Sequence, residues 1–159
     1  MARHLGCSPS NLVFVDNATT GVNAVLRSFP FVHGDELLVT NLGYGAVTYT
    51  ANYVARENGC TMRTVDLPPY DSTPDEYVAL IEAAVTEKTR MVIIDHITSQ
   101  TALVMPIREI IAACHALGAL VLVDAAGWPM PAATPSLIAV ICAFFSAPWR
   151  APMRRPPVA

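Results

Sequence analysis

The sequence lacks the features that would place it in a membrane or in the secretory pathway. The longest apolar run in its C-terminal part, residues 137–145, has nine residues, whereas a membrane-spanning helix needs about 20. No basic segment followed by an apolar stretch opens the chain, so we expect no signal peptide. We therefore expect a cytoplasmic protein that does not bind membranes.

Clustered cysteines and an excess of basic residues are also missing. The four cysteines never form a CxxC pair, so we predict no metal site and interpret them as thiols in a reducing compartment. The net charge of −3 argues against nucleic-acid binding. With 159 residues, 53% of them hydrophobic, the chain is long enough for one domain with a substantial core.

Proline is unevenly distributed. Seven of the 13 prolines lie after Trp128, in a segment that also carries three arginines and no acid. We therefore divide the chain into a domain at residues 1–128 and an atypical Pro/Arg-rich tail at residues 129–159, which we expect to be poorly ordered.

Strand-like and helix-like segments alternate along the first part of the chain. Short apolar runs predict strands, and apolar residues spaced three or four apart predict helices. Gly59 and Gly118 suit helix C-termini, and Thr73, Pro74 and Glu76 form a capping-box pattern. The predicted strands are residues 12–15, 36–40, 61–67, 90–94 and 119–123, and the predicted helices start near residues 20, 46, 74 and 106.

Because the predicted strands are apolar throughout, we predict an α/β fold with a mostly parallel sheet flanked by helices. Ligands of such sheets bind beyond the carboxyl ends of the strands. The polar segments expected to meet there are residues 16–20, 41–44 and 95–99, together with Asp124.

Three of these segments carry groups suited to one ligand. The hydroxyls of Thr19 and Thr20 at a helix start suit a phosphate, although either residue could simply cap the helix. The Tyr44 ring could stack on a planar ligand or pack on its own loop. Asp124 ends an apolar strand, where a buried acid needs a partner such as a protonated ring nitrogen.

The densest polar cluster of the sequence contains Asp95, His96, Thr98, Ser99 and Gln100. A histidine beside an aspartate suggests acid–base chemistry, but neighbours on a strand point to opposite faces. A GxSxG motif, a Gly-rich dinucleotide motif and a Walker motif are all absent, so hydrolase and nucleotide signatures are missing.

Four motifs together resemble the class V aminotransferase group of fold-type-I pyridoxal-phosphate enzymes, in particular the cysteine desulfurases and the isopenicillin N epimerase-like proteins. In chain order they are NLVFVDNATTGVNAV, ELLVTNLGYGAV, KTRMVIIDHITSQTALVMPI and ALVLVDAA. The resemblance covers residues 1–128. It implies part of the large domain of that fold, with pyridoxal phosphate as the cofactor and an amino acid as the small-molecule substrate.

The resemblance also implies a role for five residues. Thr19 and Thr20 would hold the cofactor phosphate. Tyr44 would stack on the pyridine ring, at a position where relatives often have a histidine. Ser99 would contact the ring hydroxyl, and Asp124 would bind the pyridinium nitrogen.

Two positions depart from the family pattern. Gly127 stands where relatives have a histidine or glutamine. The Schiff-base lysine of the family follows the strand acid by roughly 20–30 positions, but the single lysine of this sequence is Lys88. Lys88 precedes the predicted fourth strand, at the opposite end from the site, so we expect no catalytic residue in the chain as given.

We therefore expect an inactive, truncated fragment of a pyridoxal-phosphate enzyme of the desulfurase, epimerase or aminotransferase type. The resemblance implies a possible homodimer, with an incomplete interface. Two alternatives stay open. One is a non-catalytic remnant that binds a partner protein, and the other is a Rossmann-type nucleotide-binding domain, which the alternation of strands and helices permits.

Overall fold

A four-stranded parallel sheet forms the centre of the protein, which a computed structural model describes for residues 8–70 and 72–126. Gly127 and the tail at residues 129–159 lie outside the described residues. A 3-10 turn at Pro9–Asn11 comes first. The elements that follow are α1 (Ala18–Ser28), β1 (Glu36–Thr40), α2 (Gly45–Glu57), β2 (Thr61–Val65), α3 (Pro74–Ala84), β3 (Thr89–Asp95), α4 (Ile107–Ala116) and β4 (Leu120–Asp124).

Each face of the sheet is covered by two helices. Helices α1 and α2 pack together on one face, and α3 and α4 pack together on the other. Alternate residues of each strand supply the two cores because side chains alternate across a strand. Met91 and Ile93 of β3 face α1 and α2, whereas Val92 and Ile94 face α3 and α4. This two-sided burial explains why the strands are apolar throughout.

The strand order β2-β1-β3-β4 places a topological switch point between β1 and β3. The chain leaves β1 toward β2 on one side and later returns to β3 on the other side. In open parallel sheets the loops at such a point diverge and leave a crevice beyond the carboxyl ends of the strands. The loops that follow β1 and β3 therefore border the place where a ligand would bind.

Most of the predicted elements are confirmed, but the predicted strand at residues 12–15 is wrong. This segment is extended without forming a strand within the described residues, and the side chains of Val13 and Phe14 are 77% and 59% exposed. A run of four apolar residues indicates neither burial nor a pairing partner by itself. Here the main chain runs directly from the 3-10 turn into α1.

Helix ends follow the sequence signals. Gly59 and Gly118 come directly after the C-caps of α2 and α4 and have φ angles of +66° and +82°, a region that glycine adopts at little cost. Thr73 caps α3 as predicted: its hydroxyl accepts the Glu76 N–H at 3.3 Å, and the Glu76 carboxylate accepts the Thr73 N–H at 2.7 Å.

The amino edge of the sheet is held by one well-paired acid. The Glu36 carboxylate accepts hydrogen bonds from Thr86 Oγ1 at 2.6 Å and from Arg63 at 3.2 Å, and Thr89 Oγ1 lies 3.4 Å away. These partners hold the pKa of Glu36 below its usual value, the Thr86 hydrogen bond most of all. The network links the starts of β1 and β3 to β2.

We expect Thr73→Ala to lower the free energy of unfolding of the 159-residue chain by about 1 kcal/mol, because the Glu76 N–H at the start of α3 loses its side-chain acceptor. Urea unfolding followed by circular dichroism measures this change. Thr73→Ser keeps the hydroxyl and should stay within about 0.5 kcal/mol of wild type. Equal losses in the two variants would show that the cap does not stabilise the helix.

Candidate functional site

An open cleft of about 320 Å³ lies beyond the carboxyl ends of β3 and β4. Its size falls at the lower end of the range for small-molecule sites, about 300–1,000 Å³. The lining comes from the start of α1, the turn before α2, the ends of β3 and β4, and the loop after β3. The described lining residues are Ala18, Tyr44, Asp95, Ile97, Thr98, Ser99, Asp124 and Ala126.

Two buried carboxyl groups lie side by side in this cleft. Asp95 ends β3 and Asp124 ends β4, and the two residues pair in register across the parallel strands. Adjacent strands are about 4.8 Å apart, and paired residues point to the same face. Asp95 and Asp124 are only 4% and 5% exposed. The core packing of β3 and β4 therefore holds two buried acids next to each other at the base of the cleft.

Burial raises the pKa of both acids. Burial, followed by the charge of Asp124, raises the pKa of Asp95 to about 7, and the backbone N–H groups of Tyr44 and Ser99 oppose this rise. Burial also raises the pKa of Asp124, against the effect of the Ala126 N–H, which donates to Asp124 Oδ1 at 3.1 Å. Close like charges in a poorly solvated site disfavour ionisation of both groups.

The described cleft lining contains no lysine, arginine or histidine side chain. The ion pairs within the described residues lie at the amino edge and join Glu36 to Arg63 and Asp35 to Arg90. Lys88 is also at that edge, directly before β3, and its carbonyl accepts the Glu36 N–H. The length of β3 separates Lys88 from the cleft by about 20 Å.

The turn that carries Tyr44 is anchored to the neighbouring strand. The Asn41 side chain donates to the Leu67 carbonyl at 3.0 Å and accepts the Leu67 N–H at 2.9 Å. Tyr44 follows this anchor at the N-terminus of α2, and its side chain is 47% exposed. Tyr44 therefore lines the cleft and is exposed enough to meet a ligand.

A tight loop holds Ser99 at the cleft. Buried Thr98 pins this loop through its N–H to the Leu103 carbonyl at 3.0 Å and through its hydroxyl to the Leu103 N–H at 2.9 Å. A hydroxyl–hydroxyl contact with Thr101 at 2.6 Å adds to it, and Ala102 adopts a φ of +53°. Thr98 thus maintains the loop, and Ser99 is the exposed residue that the loop presents.

Of the two roles considered for Thr19 and Thr20, capping of the helix is wrong. Thr19 and Thr20 do not cap the helix; Asn17 is the N-cap, and its side chain accepts the Thr20 N–H at 2.8 Å. Ala18, rather than Thr19 or Thr20, lines the cleft. Asn17 can satisfy only part of the helix start, and the N–H groups of Ala18 and Thr19 are left without an intrahelical partner.

The structure thus brings together three of the five predicted site residues, Tyr44, Ser99 and Asp124. It adds Asp95, which the sequence analysis placed in a polar cluster but not in the site. The available signal was that MVIID and LVLVD both end an apolar strand with an acid. Pairing of these two strands in register, which places the acids together, could not be read from the sequence. His96, beside Asp95, forms main-chain bonds to Asp124 and Met105.

A parallel α/β sheet with a cleft near its switch point, lined by apolar groups and a few polar ones, is typical of small-molecule-binding domains. The chain belongs to the family described as aminotransferase class-V, whose profile matches residues 1–130. This confirms the family resemblance. The predicted fold, a parallel sheet flanked by helices as part of a fold-type-I large domain, is confirmed as well.

Several proteins resemble the chain over most of its length. Isopenicillin N epimerase of Amycolatopsis lactamdurans is 33% identical over 132 residues, which are 81% of this chain and 33% of that protein. Putative L-cysteine desulfhydrase 1 of Oryza sativa subsp. japonica is 39% identical over 127 residues, which are 70% of this chain and 26% of that protein. The chain thus spans about a third or less of the length of these relatives.

Solved structures show the same likeness. A mutant of C-DES with glycine covalently linked to its PLP cofactor is 28% identical, with a TM-score of 0.73, and the match covers 80% of this chain and 34% of that one. A second C-DES structure, described as a cystine C–S lyase with its product cysteine persulfide, matches equally well. Within the described part of this chain, no helix is long and apolar enough to cross a membrane.

The raised pKa of Asp95 makes stability depend on pH. Its folded-state pKa of about 7 lies above the ordinary value of 3.8, so the folded chain binds more protons between these values and loses stability as the pH rises. We expect Asp95→Asn to remove this loss. Its free energy of unfolding should therefore exceed that of wild type by up to about 4 kcal/mol at about pH 8.

Urea unfolding of both chains between about pH 5 and pH 8 measures the difference, which should shrink toward the acidic end. Exposed Asp66 provides the matched control, since Asp66→Asn should show no such trend. A pH-independent difference between Asp95→Asn and wild type would show that Asp95 ionises normally.

Proposed function

We propose that this chain provides the pyridoxal-phosphate-binding part of an enzyme that acts on an amino acid. The observation that carries the proposal is the buried Asp124 carboxylate, which faces a cleft without a cationic side chain in its described lining. A protonated pyridine nitrogen is a cation that matches it. The reaction type we propose is desulfuration, epimerisation or transamination, in keeping with the named relatives.

The chemistry of the cleft fits the ring end of this cofactor. The free energy of a buried acid pair decreases when an N–H⁺ group of a ligand takes the place of the water that burial excludes. Asp124 is the acceptor that we assign to the ring nitrogen. When bound, pyridoxal phosphate withdraws electrons from the reacting carbon of an amino acid, and an acid at the ring nitrogen maintains that capacity.

Two further lining residues suit the faces and edge of a pyridine ring. The Tyr44 ring, held by the anchored turn before α2, would lie against the planar ligand. The exposed Ser99 hydroxyl, presented by the Thr98 loop, would donate to or accept from the ring hydroxyl. Both residues line the same cleft as Asp124.

The phosphate would bind at the start of α1. Main-chain N–H groups at a helix N-terminus attract an anion, and those of Ala18 and Thr19 have no partner within the helix. We propose that Thr19 and Thr20 add their hydroxyls there. Because Thr20 is exposed and neither threonine lines the cleft, this assignment requires the phosphate to extend past Ala18 to the outer side of the helix start.

The chain as given supplies no lysine for a Schiff base in this cleft, because its single lysine is at the opposite edge of the sheet. We therefore propose that these residues hold and orient the cofactor but do not turn over an amino acid by themselves. Binding and catalysis can thus be tested separately.

We expect the 159-residue chain to bind 4-deoxypyridoxine 5′-phosphate, a probe that keeps the ring nitrogen, ring hydroxyl and phosphate but has no aldehyde to react with amines. Asp124→Asn should weaken binding by about tenfold or more, because a hydrogen bond to a charged group contributes roughly 1.5–3 kcal/mol. Isothermal titration calorimetry measures the affinity.

Asp66→Asn is the control for loss of one negative charge at the carboxyl edge, and we expect it to bind the probe like wild type. Wild-type affinity in Asp124→Asn, or no saturable binding by the wild-type chain, would refute the proposed site.

With pyridoxal phosphate and cysteine added, we expect the chain to release sulfide no faster than free pyridoxal phosphate does. Lys88→Arg should leave this rate unchanged, because Lys88 is about 20 Å from the cleft. Sulfide release is measured colorimetrically. A rate above the free-cofactor rate that disappears in Lys88→Arg would show that Lys88 reaches the cofactor.

A further inference from the structure

We infer that Asp95 and Asp124 share a single proton in the ligand-free chain and that a cation entering the cleft expels this proton to solvent. Asp95 is then a positioning residue: in its protonated form it keeps Asp124 charged and directed at the cleft. The shared proton is a property of the chain itself. Its expulsion by a pyridinium ring rests on the proposed function.

The inference stands on the geometry of the sheet. Asp95 and Asp124 are register partners on adjacent parallel strands, and their backbones stay paired beyond the strand ends, where the His96 N–H donates to the Asp124 carbonyl at 2.8 Å. Neither residue can move away without breaking this ladder. Both are more than nine-tenths buried and line one cleft, so two negative charges would be poorly solvated there.

Within residues 8–70 and 72–126, the cleft lining adds no further charged side chain to the pair. From the turn before α2 comes Tyr44, which lines the cleft and whose N–H meets Asp95. From α1 comes Ala18, and from the loop after β3 come Thr98 and Ser99, none of which titrates in the accessible range. The histidine next in sequence, His96, is not among the described residues that line the cleft. The charge that acts on Asp95 is that of Asp124.

The two acids have different main-chain partners, and those of Asp95 oppose its protonation. The N–H groups of Tyr44 and Ser99 meet Asp95, and these two residues are also the ring-contacting residues of the proposed site. Binding that shifts Tyr44 or Ser99 therefore acts on Asp95 directly, while Asp124 keeps its own bond to the Ala126 N–H. In this inference the protonation of Asp95 depends on whether a ligand occupies the cleft, and Asp124 is the acceptor for the ring nitrogen.

The proton count on binding is simple. The free pair holds one proton and carries one negative charge. When a ring N–H⁺ enters, both carboxylates become charged, the proton leaves to water, and the ring keeps its own proton. Between the ordinary pKa of an aspartate and neutrality, binding by wild type should thus release up to one proton more than binding by a chain without Asp95.

Carbon-13 NMR of the ligand-free chain, labelled at the aspartate carboxyl carbons, tests the shared proton. We expect one carboxyl signal to titrate near neutrality in wild type and to be absent from Asp95→Asn. In Asp124→Asn the Asp95 signal should remain but titrate at lower pH, because the neighbouring charge is gone. A wild-type chain in which every carboxyl titrates near its ordinary value would overturn the inference.

Calorimetry with 4-deoxypyridoxine 5′-phosphate tests the expulsion. At about pH 6, in buffers of different ionisation enthalpy, wild type should release up to one proton more than Asp95→Asn, and the excess should vanish above about pH 8. The comparison cancels protons exchanged by the probe itself. Between about pH 5 and 7, the ratio of the wild-type affinity for the probe to the Asp95→Asn affinity should rise by up to tenfold per pH unit.

The two measurements separate the possible failures. Equal proton release by wild type and Asp95→Asn at about pH 6 would refute the coupling to the ligand. Absence of probe binding by wild type would refute the proposed function and the expulsion with it, and the shared proton would then be decided by the NMR titration alone.

Discussion

Two like charges buried on neighbouring strands constrain the carboxyl edge of this sheet. Asp95 and Asp124 cannot be separated without moving β4 along β3, because the two strands are paired over five residues. A shift of one residue would turn the apolar side chains of β4, which fill both cores, to the wrong faces. The packing that stabilises the domain therefore holds the acids together. The energetic cost of the pair is offset by the rest of the sheet, and it decreases when a cation occupies the cleft.

At the opposite edge of the sheet, an acid with a structural role has close hydrogen-bond and ion-pair partners. Glu36 lies at the start of β1 and has a hydroxyl at 2.6 Å and a guanidinium at 3.2 Å, so its pKa is lowered. At the carboxyl edge the pKa of each acid is raised instead. The same sheet thus satisfies the acid that links its strands and leaves two others short of partners. Acids with raised pKa values and no cationic partner in a cleft are more typical of functional sites than of structural ion pairs.

The sequence predicts most of the sheet because local signals and packing agree there. ELLVT is a strand with the predicted bounds, Glu36–Thr40, and the pattern at Thr73 gives the start of α3. Residues 12–15 show the limit, since an apolar run does not show whether a pairing partner exists. The residues that line the cleft were predicted only in part, because a single strand does not show which strand pairs with it. Asp124 could be identified from its own strand, whereas Asp95 becomes a site residue only through the register between two strands, which is a property of the tertiary structure.

Lys88 lies at the edge of the sheet opposite the residues that we assign to cofactor binding. Every group that we assign to the ring and the phosphate follows a strand end or opens a helix at the carboxyl edge, so the folding of residues 8–126 positions all of them together. A lysine that reacts with the cofactor aldehyde must approach the same edge, and Lys88 is held at the other edge through its carbonyl bond to Glu36. No rotamer of a side chain about 6 Å long spans the roughly 20 Å of β3. The electrostatic part of the proposed site therefore needs no reactive amine, and we expect the acid pair to bind a cationic ring whether or not that ring is linked covalently.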